Sequence, residues 1–300
     1  MREENTLIND SRMTQKRLRF GNPWNYDEYV IGKIKPALNT TSGVLFEGDC
    51  LKILPKIKSG TVDLVFADPP FNLGKEYGNK VNDKLPDEKY IDFCKKWISE
   101  CARILKDGGA FFIYNLPKWN ILFGAYLFEL GLTFRHWIAI NIKAGLPIHG
   151  RLYPSHYSLL YFSKGKVKTF RKIRTPIETC RHCGGEIKDY GGHRNAMNPL
   201  GVNLTDIWND IPSVRHWKFK SKKRKANQLS TKLLSRVVHM STNKGDVVLD
   251  PFGGSGTTFD VCENEGRHWI GIELESCDVI IERLESGNLH YHQNNDYVER

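Results

Sequence analysis

Short apolar runs alternate along this chain with stretches in which apolar residues recur every three or four positions. The apolar runs predict strands at 44–47, 62–67, 110–114, 134–141, 157–162, 246–249 and 268–273. The helical spacing predicts helices at 51–54, 86–106, 118–130 and 231–240, and one more that starts at Thr257. Strands that alternate with helices in this way predict an α/β fold, with a doubly wound and mostly parallel sheet between two layers of helices.

Glycine and polar segments indicate where this pattern is interrupted. Lys106-Asp107-Gly108-Gly109 is predicted to end the helix at 86–106, with glycine in a left-handed C-cap. Residues 1–43 are polar and rich in turn formers, and we expect an N-terminal arm or a peripheral helix there. From Lys164 to Ala226 no periodicity is sustained, so this segment is predicted to be an irregular insertion at one edge of the sheet.

The composition narrows the class of protein. With 40% hydrophobic and 26% charged residues, the chain has the composition of an ordinary soluble globular protein. It has no run of about 18 apolar residues, which argues against a membrane span or a membrane partner. The N-terminus lacks the layout of a secretory signal, and the seven cysteines are an odd number scattered along the chain. We therefore expect reduced thiols and a cytoplasmic location.

The net charge of +10 is concentrated in one part of the chain. Between Arg151 and Ala226 there are 17 Lys and Arg residues against 5 Asp and Glu, a local net charge of +12, and the remaining residues sum to −2. A basic segment on an otherwise near-neutral protein predicts a surface that binds a polyanion. The alternative is a solvated basic surface that only keeps the protein soluble.

A glycine-rich turn, Asp250-Pro251-Phe252-Gly253-Gly254-Ser255-Gly256-Thr257-Thr258, follows the strand at 246–249. A turn of this kind lets the backbone approach a ligand while a helix N-terminus supplies N–H groups. Its candidate ligand-binding and helix-capping residues are Phe252, Gly254, Gly256, Thr257 and Thr258. Glu273 lies 17 residues after Gly256, at the end of the next strand, where a carboxylate can accept both hydroxyls of a ribose. The alternative is a tight turn that binds no ligand.

A second motif, Asp68-Pro69-Pro70-Phe71, ends the strand at 62–67. The lone pair of an amino group on a flat aromatic ring is delocalised, and two acceptors aimed at the amine hydrogens free it for attack. The Asp68 carboxylate and the Pro69 carbonyl suit this task because consecutive prolines stiffen the loop, and we expect Phe71 to stack on the ring. The alternative is a turn that merely terminates the strand.

Together the two motifs resemble those of DNA amino-methyltransferases that use S-adenosylmethionine. The catalytic motif comes first and the cofactor motif last, an order similar to that of the beta class. The resemblance implies a Rossmann-like methyltransferase fold with permuted motifs. It implies an N-terminal arm at 1–43, a catalytic half at 44–144, a target-recognition region at 145–226 and a cofactor-binding half at 227–300.

The resemblance also assigns roles at the cofactor site. Asp250 and the glycines of the turn would hold the methionine portion of the cofactor, and Glu273 the ribose hydroxyls. The turn Gly48-Asp49-Cys50 would bind the adenine through Asp49, with Cys50 beside it.

The substrate that the resemblance implies is duplex DNA, with the target base flipped into the pocket. Phe71 would form one wall of the pocket for the flipped base, and Tyr77 or Tyr157 could form the other. An Asp at the first motif position favours the N6 amine of adenine over the N4 amine of cytosine. Methylation of RNA or of a protein amide, and a non-catalytic DNA-binding module, are the other hypotheses. The sequence leaves open a homodimer and a cognate restriction endonuclease as partners.

The basic segment interleaves aromatic residues with cations, a pattern typical of nucleic-acid surfaces. The candidate DNA-binding residues are Arg215, Trp217, Lys218, Lys220, Lys222, Lys223, Arg224 and Lys225. Cys180 and Cys183 are spaced like one zinc knuckle, but a structural zinc needs four ligands. The two hypotheses are a half-site completed by His182 and His193, and two reduced cysteines without metal, which we favour.

Overall fold

The computed structural model describes residues 21–74, 76–77, 81–82, 84–141, 149–150, 152–180, 182–186, 192–212, 228–286 and 297–298. The strands in this part of the chain are β1 Leu38–Asn39, β2 Gly43–Glu47, β3 Val62–Ala67, β4 Glu76–Tyr77, β5 Val81–Asn82, β6 Leu105–Asn115, β7 Thr133–Asn141, β8 His156–Ser163, β9 Ile173–Thr175, β10 Val202–Asn203, β11 Ile207–Trp208, β12 Val247–Asp250, β13 His268–Glu273 and β14 Tyr297–Val298. The α-helices are α1 Cys50–Ile53, α2 Asp87–Ile104, α3 Pro117–Glu129, α4 Thr231–Ser241, α5 Thr257–Glu265 and α6 Asp278–Ser286. Short 3-10 turns cover Leu54–Lys56 and Arg194–Ala196.

A central sheet carries the fold, with strand order β1-β2-β13-β12-β3-β6-β8-β7-β11. Strands β2, β13, β12, β3 and β6 run parallel to one another, whereas β8 runs antiparallel between β6 and β7. The described part of the insertion contributes the edge strand β11, which runs parallel to β7. The predicted mostly parallel sheet is confirmed.

Helices cover both faces of the sheet, so its central strands are buried on both sides. On β3, Val65 belongs to the core cluster that includes α2 and α3. The neighbouring Leu64 and Phe66 point the other way, into the cluster that includes α4, α5 and α6. The period of two along a strand therefore divides its apolar side chains between two cores, as a doubly wound fold requires.

The predicted glycine cap of the helix at 86–106 is wrong. Helix α2 ends at Ile104, and Leu105 is already extended, with its N–H bonded to the Cys101 carbonyl. Strand β6 begins at Leu105, and an irregularity in its pairing with β3 contains Gly108. The left-handed conformation of Gly108 (φ +80°) therefore serves this bulge rather than a helix end.

Two regions flank this core. None of residues 21–43 is helical; Val30 is buried and bridges Ile57, and the Trp24 ring stacks on His268 with centroids 4.9 Å apart. In the recognition region predicted at 145–226, β9 pairs with β10 and β14 in a small antiparallel sheet, whereas β8 and β11 belong to the central sheet.

All seven cysteines are described and none forms a disulfide. None of the described helices is long and apolar enough to cross a membrane.

Candidate active site

The two motif loops leave the sheet side by side. Strands β3 and β12 are parallel neighbours, with Leu249 opposite Val65, so the loops that begin at Asp68 and Asp250 emerge at the same edge. From β12 the chain continues to β13 on one side, and from β3 it continues to β6 on the other. Such a reversal of strand order opens a crevice at the carboxyl ends of the strands, where α/β proteins bind their ligands.

The Asp250 side chain stabilises the glycine-rich turn through hydrogen bonds. Its side chain is buried, and its two oxygens accept hydrogen bonds from the Phe252 N–H at 3.0 Å and the Thr258 hydroxyl at 2.6 Å. Burial raises the pKa of this carboxyl to about 7, although the two hydrogen bonds act in the opposite direction. Asp250 thus shapes the turn that is predicted to hold the cofactor.

The backbone of the glycine-rich turn lies so close to helix α6 that a side chain at Gly256 would not fit. Gly256 has φ +75°, and a Cβ there would lie 2.9 Å from Cγ2 of Ile280 on α6. From the same helix, Arg283 Nη1 donates to the Ser255 carbonyl and the Thr257 hydroxyl, both at 3.1 Å. Helix α6 therefore fixes the outer side of the turn.

The prediction that Thr257 and Thr258 cap the next helix is wrong. The N-cap position of α5 is Gly256, which has no side chain to bond the first turn. Thr258 instead donates to Asp250, and the Thr257 hydroxyl accepts from Arg283. Both threonines therefore stabilise the turn rather than the helix end.

The two predicted nucleoside carboxylates lie at the ends of adjacent strands. Glu273 on β13 is opposite Glu47 on β2, and Asp49 follows two residues later. Glu273 accepts from the Gly254 N–H at 2.6 Å and the Glu275 N–H at 3.0 Å, and burial raises its pKa. Asp49 is half-buried and caps α1 by accepting from the Leu51 N–H at 2.9 Å.

Two other predicted cofactor residues contribute mainly to the core. Cys50 is buried, and this burial raises the pKa of its thiol to about 12. The half-buried Phe252 ring meets Trp97 edge to face, with centroids 5.2 Å apart, and also contacts Phe93. Phe252 therefore joins the glycine-rich turn to helix α2.

These residues suit S-adenosylmethionine. The Glu273 carboxylate can accept ribose hydroxyls, and Asp49 can accept from an adenine amine. The glycines between Asp250 and α5 allow the backbone to approach a ligand closely, and the Glu273 carboxylate lies beside them.

Side chains from two helices hold the loop that begins at Asp68. The Tyr90 hydroxyl on α2 donates to the Pro70 carbonyl at 2.5 Å. The Trp119 Nε1–H on α3 donates to the Phe71 carbonyl at 2.9 Å. Asp68 itself is half-buried, and Pro69 is buried. The loop is thus fixed at its backbone by groups outside the motif.

Three aromatic rings gather beside Asp68. The Phe71 ring lies 6.0 Å from Tyr114 and 5.6 Å from Tyr157, and these two tyrosines are 5.3 Å apart. Burial raises the pKa of Tyr114 well above its ordinary value, and the Asp68 charge adds to this effect. The predicted Phe71–Tyr157 pair is therefore a trio, and it can contact the faces of a planar base. The side chain of Tyr77 lies outside the described residues.

Several residues of this site were not predicted from the sequence. They are Tyr90, Tyr114, Asn115, Trp119 and Arg283. Tyr90, Tyr114 and Trp119 occupy positions that the periodicity of a strand or helix assigns to the core. Asn115 follows the predicted strand at 110–114, and Arg283 lies in α6, a helix that was not predicted. The polar ends of the Tyr and Trp side chains were the available signal, because a buried hydroxyl or indole N–H needs a partner.

The other predicted sites are the candidate DNA-binding residues and the Cys180–Cys183 pair. The eight candidate DNA-binding residues between Arg215 and Lys225 lie outside the described residues. Cys180 and Cys183 lie on a tight turn, in which the Gly184 N–H bonds the Cys180 carbonyl at 2.9 Å. In the described part of the chain, no three His, Cys, Asp or Glu side chains gather into a metal site.

Comparison with known proteins identifies the family. The N6_N4_Mtase model, described as DNA methylase, matches residues 62–282. Type II methyltransferase M.BamHI of Bacillus amyloliquefaciens is 53% identical over 285 residues, which cover 94% of this chain and 67% of that protein. DNA adenine methyltransferase YhdJ of Escherichia coli (strain K12) is 31% identical over 236 residues, which cover 77% of this chain and 78% of that protein.

A solved structure agrees in fold. PvuII DNA methyltransferase (cytosine-N4-specific) matches with a TM-score of 0.60 at 19% identity, covering 86% of this chain and 91% of that one. The family match spans the catalytic motif at Asp68 and the cofactor turn at Asp250, in the order predicted from the sequence. The chain therefore belongs to the DNA methylase family and is a beta-class DNA amino-methyltransferase.

Proposed function

We propose that this protein is a site-specific type II methyltransferase that methylates an exocyclic amine of a base flipped out of duplex DNA. One observation carries the proposal: the Asp68 and Asp250 loops leave adjacent parallel strands at one edge of the sheet. An amine held by the first loop and a methyl donor held by the second would therefore meet in the same crevice.

The residues of the first loop would activate the amine. Bound S-adenosylmethionine supplies an electrophilic methyl group on a sulfonium. The Asp68 carboxylate and the Pro69 carbonyl accept the two amine hydrogens, which draws the nitrogen toward a tetrahedral shape and directs its lone pair away from the ring. Asp68 takes up the proton that the amine loses on methylation. Because these acceptors are preorganised, little rearrangement is needed during the reaction.

The aromatic trio of Phe71, Tyr114 and Tyr157 would receive the flipped base. Extrusion of a base costs a few kcal/mol, and stacking against aromatic side chains recovers part of that cost. The trio borders Asp68, whose charge contributes to the raised pKa of Tyr114. A base stacked there would present its amine to the Asp68 loop.

We propose the N6 amine of adenine as the target. Asp at the first motif position and the similarity to YhdJ, which is named a DNA adenine methyltransferase, support this choice. The N4 amine of cytosine is the second candidate, because the PvuII enzyme with a similar fold is cytosine-N4-specific. Both amines suit the same pair of acceptors.

The remaining proposals concern partners. Duplex DNA would contact the basic segment through Arg215, Trp217, Lys218, Lys220, Lys222, Lys223, Arg224 and Lys225. The similarity to a type II methyltransferase supports a cognate restriction endonuclease as a functional partner. A homodimer and a cytoplasmic location stay predictions from the sequence, and for Cys180 and Cys183 two reduced cysteines stay the favoured hypothesis over a zinc half-site.

Modification-sensitive sequencing of DNA from cells that express the protein tests the function, with Asp68→Ala as control. We expect one modified base in one sequence context with the wild type and none with the variant, while purified Asp68→Ala still binds S-adenosylmethionine. Modified adenine supports the first target and modified cytosine the second. A labelled-methyl assay on duplex DNA, RNA and protein completes the test, because labelling of RNA or protein alone would contradict the proposal.

A further inference from the structure

The backbone of the catalytic loop is held by two side chains that the proposed reaction does not itself require. Tyr90 bonds the Pro70 carbonyl and Trp119 bonds the Phe71 carbonyl, at 2.5 and 2.9 Å. We propose that Tyr90 and Trp119 are positioning residues for methyl transfer, because they fix the peptide units that follow Pro69. The inference rests on the proposed function, in which Asp68 and the Pro69 carbonyl hold the amine.

Tyr90 and Trp119 contact each other and together support the loop. Their rings are in contact, with centroids 4.7 Å apart, and they are only 1% and 3% exposed. They enter from different elements, Tyr90 from the first turn of α2 and Trp119 from the first turn of α3. The position of the loop is therefore tied to two helices, α2 and α3, on the same face of the sheet.

The direction of the Tyr90 hydroxyl is determined by Asn115 at the end of β6. The Asn115 Nδ2 donates to the Tyr90 oxygen at 3.2 Å, and the Asn115 Oδ1 accepts from the Leu116 N–H at 2.7 Å. These contacts fix the orientation of the amide, so the hydroxyl accepts from Asn115 and its single proton points to the Pro70 carbonyl. Burial raises the pKa of Tyr90, which keeps this proton in place.

The loop is also fixed just beyond Phe71. Asn72 has φ +56°, in the left-handed region. Its side chain donates to the Leu85 carbonyl at 2.9 Å and accepts from the Leu85 N–H at 2.7 Å. Three consecutive residues of the loop are thus held by side-chain hydrogen bonds, and the prolines restrict the backbone that precedes them.

This geometry has a kinetic consequence. A displacement of about 1 Å at a reacting group can lower a rate about 100-fold, even when the displaced contact lies away from the chemistry. The Tyr90 bond is two residues from Asp68 and one peptide from the Pro69 carbonyl. Its loss should therefore affect the chemical step more than the binding of cofactor or DNA.

The test compares Tyr90→Phe with Tyr126→Phe. Both changes remove one hydroxyl and keep the ring, but the Tyr126 hydroxyl bonds Ser99 at 2.7 Å, away from the loop. The rate constant for transfer of a labelled methyl group from S-adenosylmethionine to unmethylated genomic DNA is measured at saturation, and the KM for DNA and the Kd for cofactor are measured by varying each concentration. We expect Tyr90→Phe to lower the single-turnover rate constant about 10- to 100-fold, with the KM for DNA and the Kd for cofactor unchanged. We expect Tyr126→Phe to keep the wild-type rate constant.

The second variant is Trp119→Phe, and its control is Trp137→Phe on β7. If Tyr90→Phe does not fold, the comparison of Trp119→Phe with Trp137→Phe tests the proposal. Rate constants for the Tyr90 or Trp119 variants within about two-fold of their controls overturn the proposal. A loss that appears only in KM or in cofactor Kd also overturns it. Methylation by the wild type tests the proposed function separately, and a wild type that transfers no methyl group to DNA overturns both.

Discussion

Arg236 and Asp210 form a bidentate ion pair that joins the described end of the recognition region to helix α4. The two guanidinium nitrogens donate to the two carboxylate oxygens at 2.8 and 2.6 Å. Arg236 is fully buried and lies over the ring of Trp208, and Lys232 adds a third contact to Asp210 at 2.6 Å. The pair therefore fixes Asp210, which follows the edge strand β11, against a helix of the predicted cofactor-binding half.

We predict that Asp210→Asn lowers the free energy of unfolding by about 2 kcal/mol. Loss of one partner from a buried pair costs about 3–5 kcal/mol, and we reduce this value because the Asp210 side chain is 44% exposed. Burial acts to raise the Asp210 pKa, but hydrogen bonds from Arg236 and Lys232 outweigh it and hold the pKa well below its ordinary range. Urea unfolding should therefore show the full difference above about pH 4 and a shrinking difference below it.

The matched control is Asp87→Asn. Asp87 bonds Lys118 at 2.9 Å, but both side chains are more than half exposed, and such pairs contribute little. We expect a change of less than about 0.5 kcal/mol in the free energy of unfolding. Equal losses in the two variants would contradict the role given to the Arg236–Asp210 pair.

The central strands could be predicted from the sequence, whereas the Arg236–Asp210 ion pair could not. The central strands followed from periodicity, because each apolar run needs burial on both faces of a parallel sheet. The fold class also accounts for the adjacency of the Asp68 and Asp250 loops, because parallel strands bring their carboxyl ends to the same edge of the sheet. Arg236, however, falls in a helical pattern next to buried leucines, and no local rule pairs it with a carboxylate 26 residues earlier.

The active site shows the same division. The sequence makes Asp68 and Glu273 candidates, because strand-end carboxylates near prolines or glycines suit amine activation and ribose binding. Tyr90 and Trp119 could not, because their spacing is explained equally well by core burial, and only the tertiary structure shows where their polar atoms point. The end of α2 was mispredicted because Gly108 serves a bulge between strands, a contact distant in sequence.

The buried Asp250 carboxyl should make stability depend on pH. Its pKa is raised to about 7, so the folded state retains a proton that the unfolded state loses near pH 4. The stability contributed by this group is present below about pH 4 and is lost as pH rises toward about 7. In Asp250→Asn, which keeps a polar partner for Thr258, we expect urea unfolding to show a smaller loss of stability over that interval.

Asp92→Asn on the outer side of α2 is the control for this pH dependence, since the Asp92 side chain is 64% exposed. It should follow the wild-type pH profile. An Asp250→Asn profile that parallels the wild type between about pH 4 and about pH 7 would show that Asp250 does not cause the decline.

Glu273→Gln should weaken the binding of S-adenosylmethionine. A hydrogen bond to a charged group is worth about 1.5–3 kcal/mol, so removal of the charge predicts a rise in Kd of about 10- to 100-fold by calorimetry. Glu275→Gln is the control, because Glu275 meets Glu273 through its backbone N–H, which the substitution leaves unchanged. Equal affinities for the two variants would remove Glu273 from the cofactor site.

Gly256→Ala should destabilise the cofactor turn more than Gly245→Ala. Both glycines have positive φ, +75° and +81°, but a Cβ at Gly256 meets Ile280 at 2.9 Å and one at Gly245 meets no atom within 4 Å. Backbone strain alone costs about 1 kcal/mol at each site, and the clash adds to it only at Gly256. Thermal unfolding should show the larger loss for Gly256→Ala, and a smaller loss when the same substitution is made in an Ile280→Ala background, which lacks the Cγ2 atom that the new Cβ would meet. Equal losses would mean that the contact with α6 is unimportant.

The basic segment should determine how strongly salt weakens DNA binding. Each phosphate neutralised by Lys or Arg contributes about 0.9 to the slope of log K against log salt concentration, so Lys222→Gln with Lys223→Gln should reduce the slope by about 2. Lys95→Gln with Lys96→Gln is the matched control, because it removes the same charge from helix α2, where Lys96 pairs with Asp92 at 2.7 Å. We expect that control to retain the wild-type slope in fluorescence anisotropy titrations on duplex DNA. If the two double variants reduce the slope equally, the salt dependence of DNA binding reflects only the net charge of the protein. The basic segment would then be a solvated surface rather than a DNA contact.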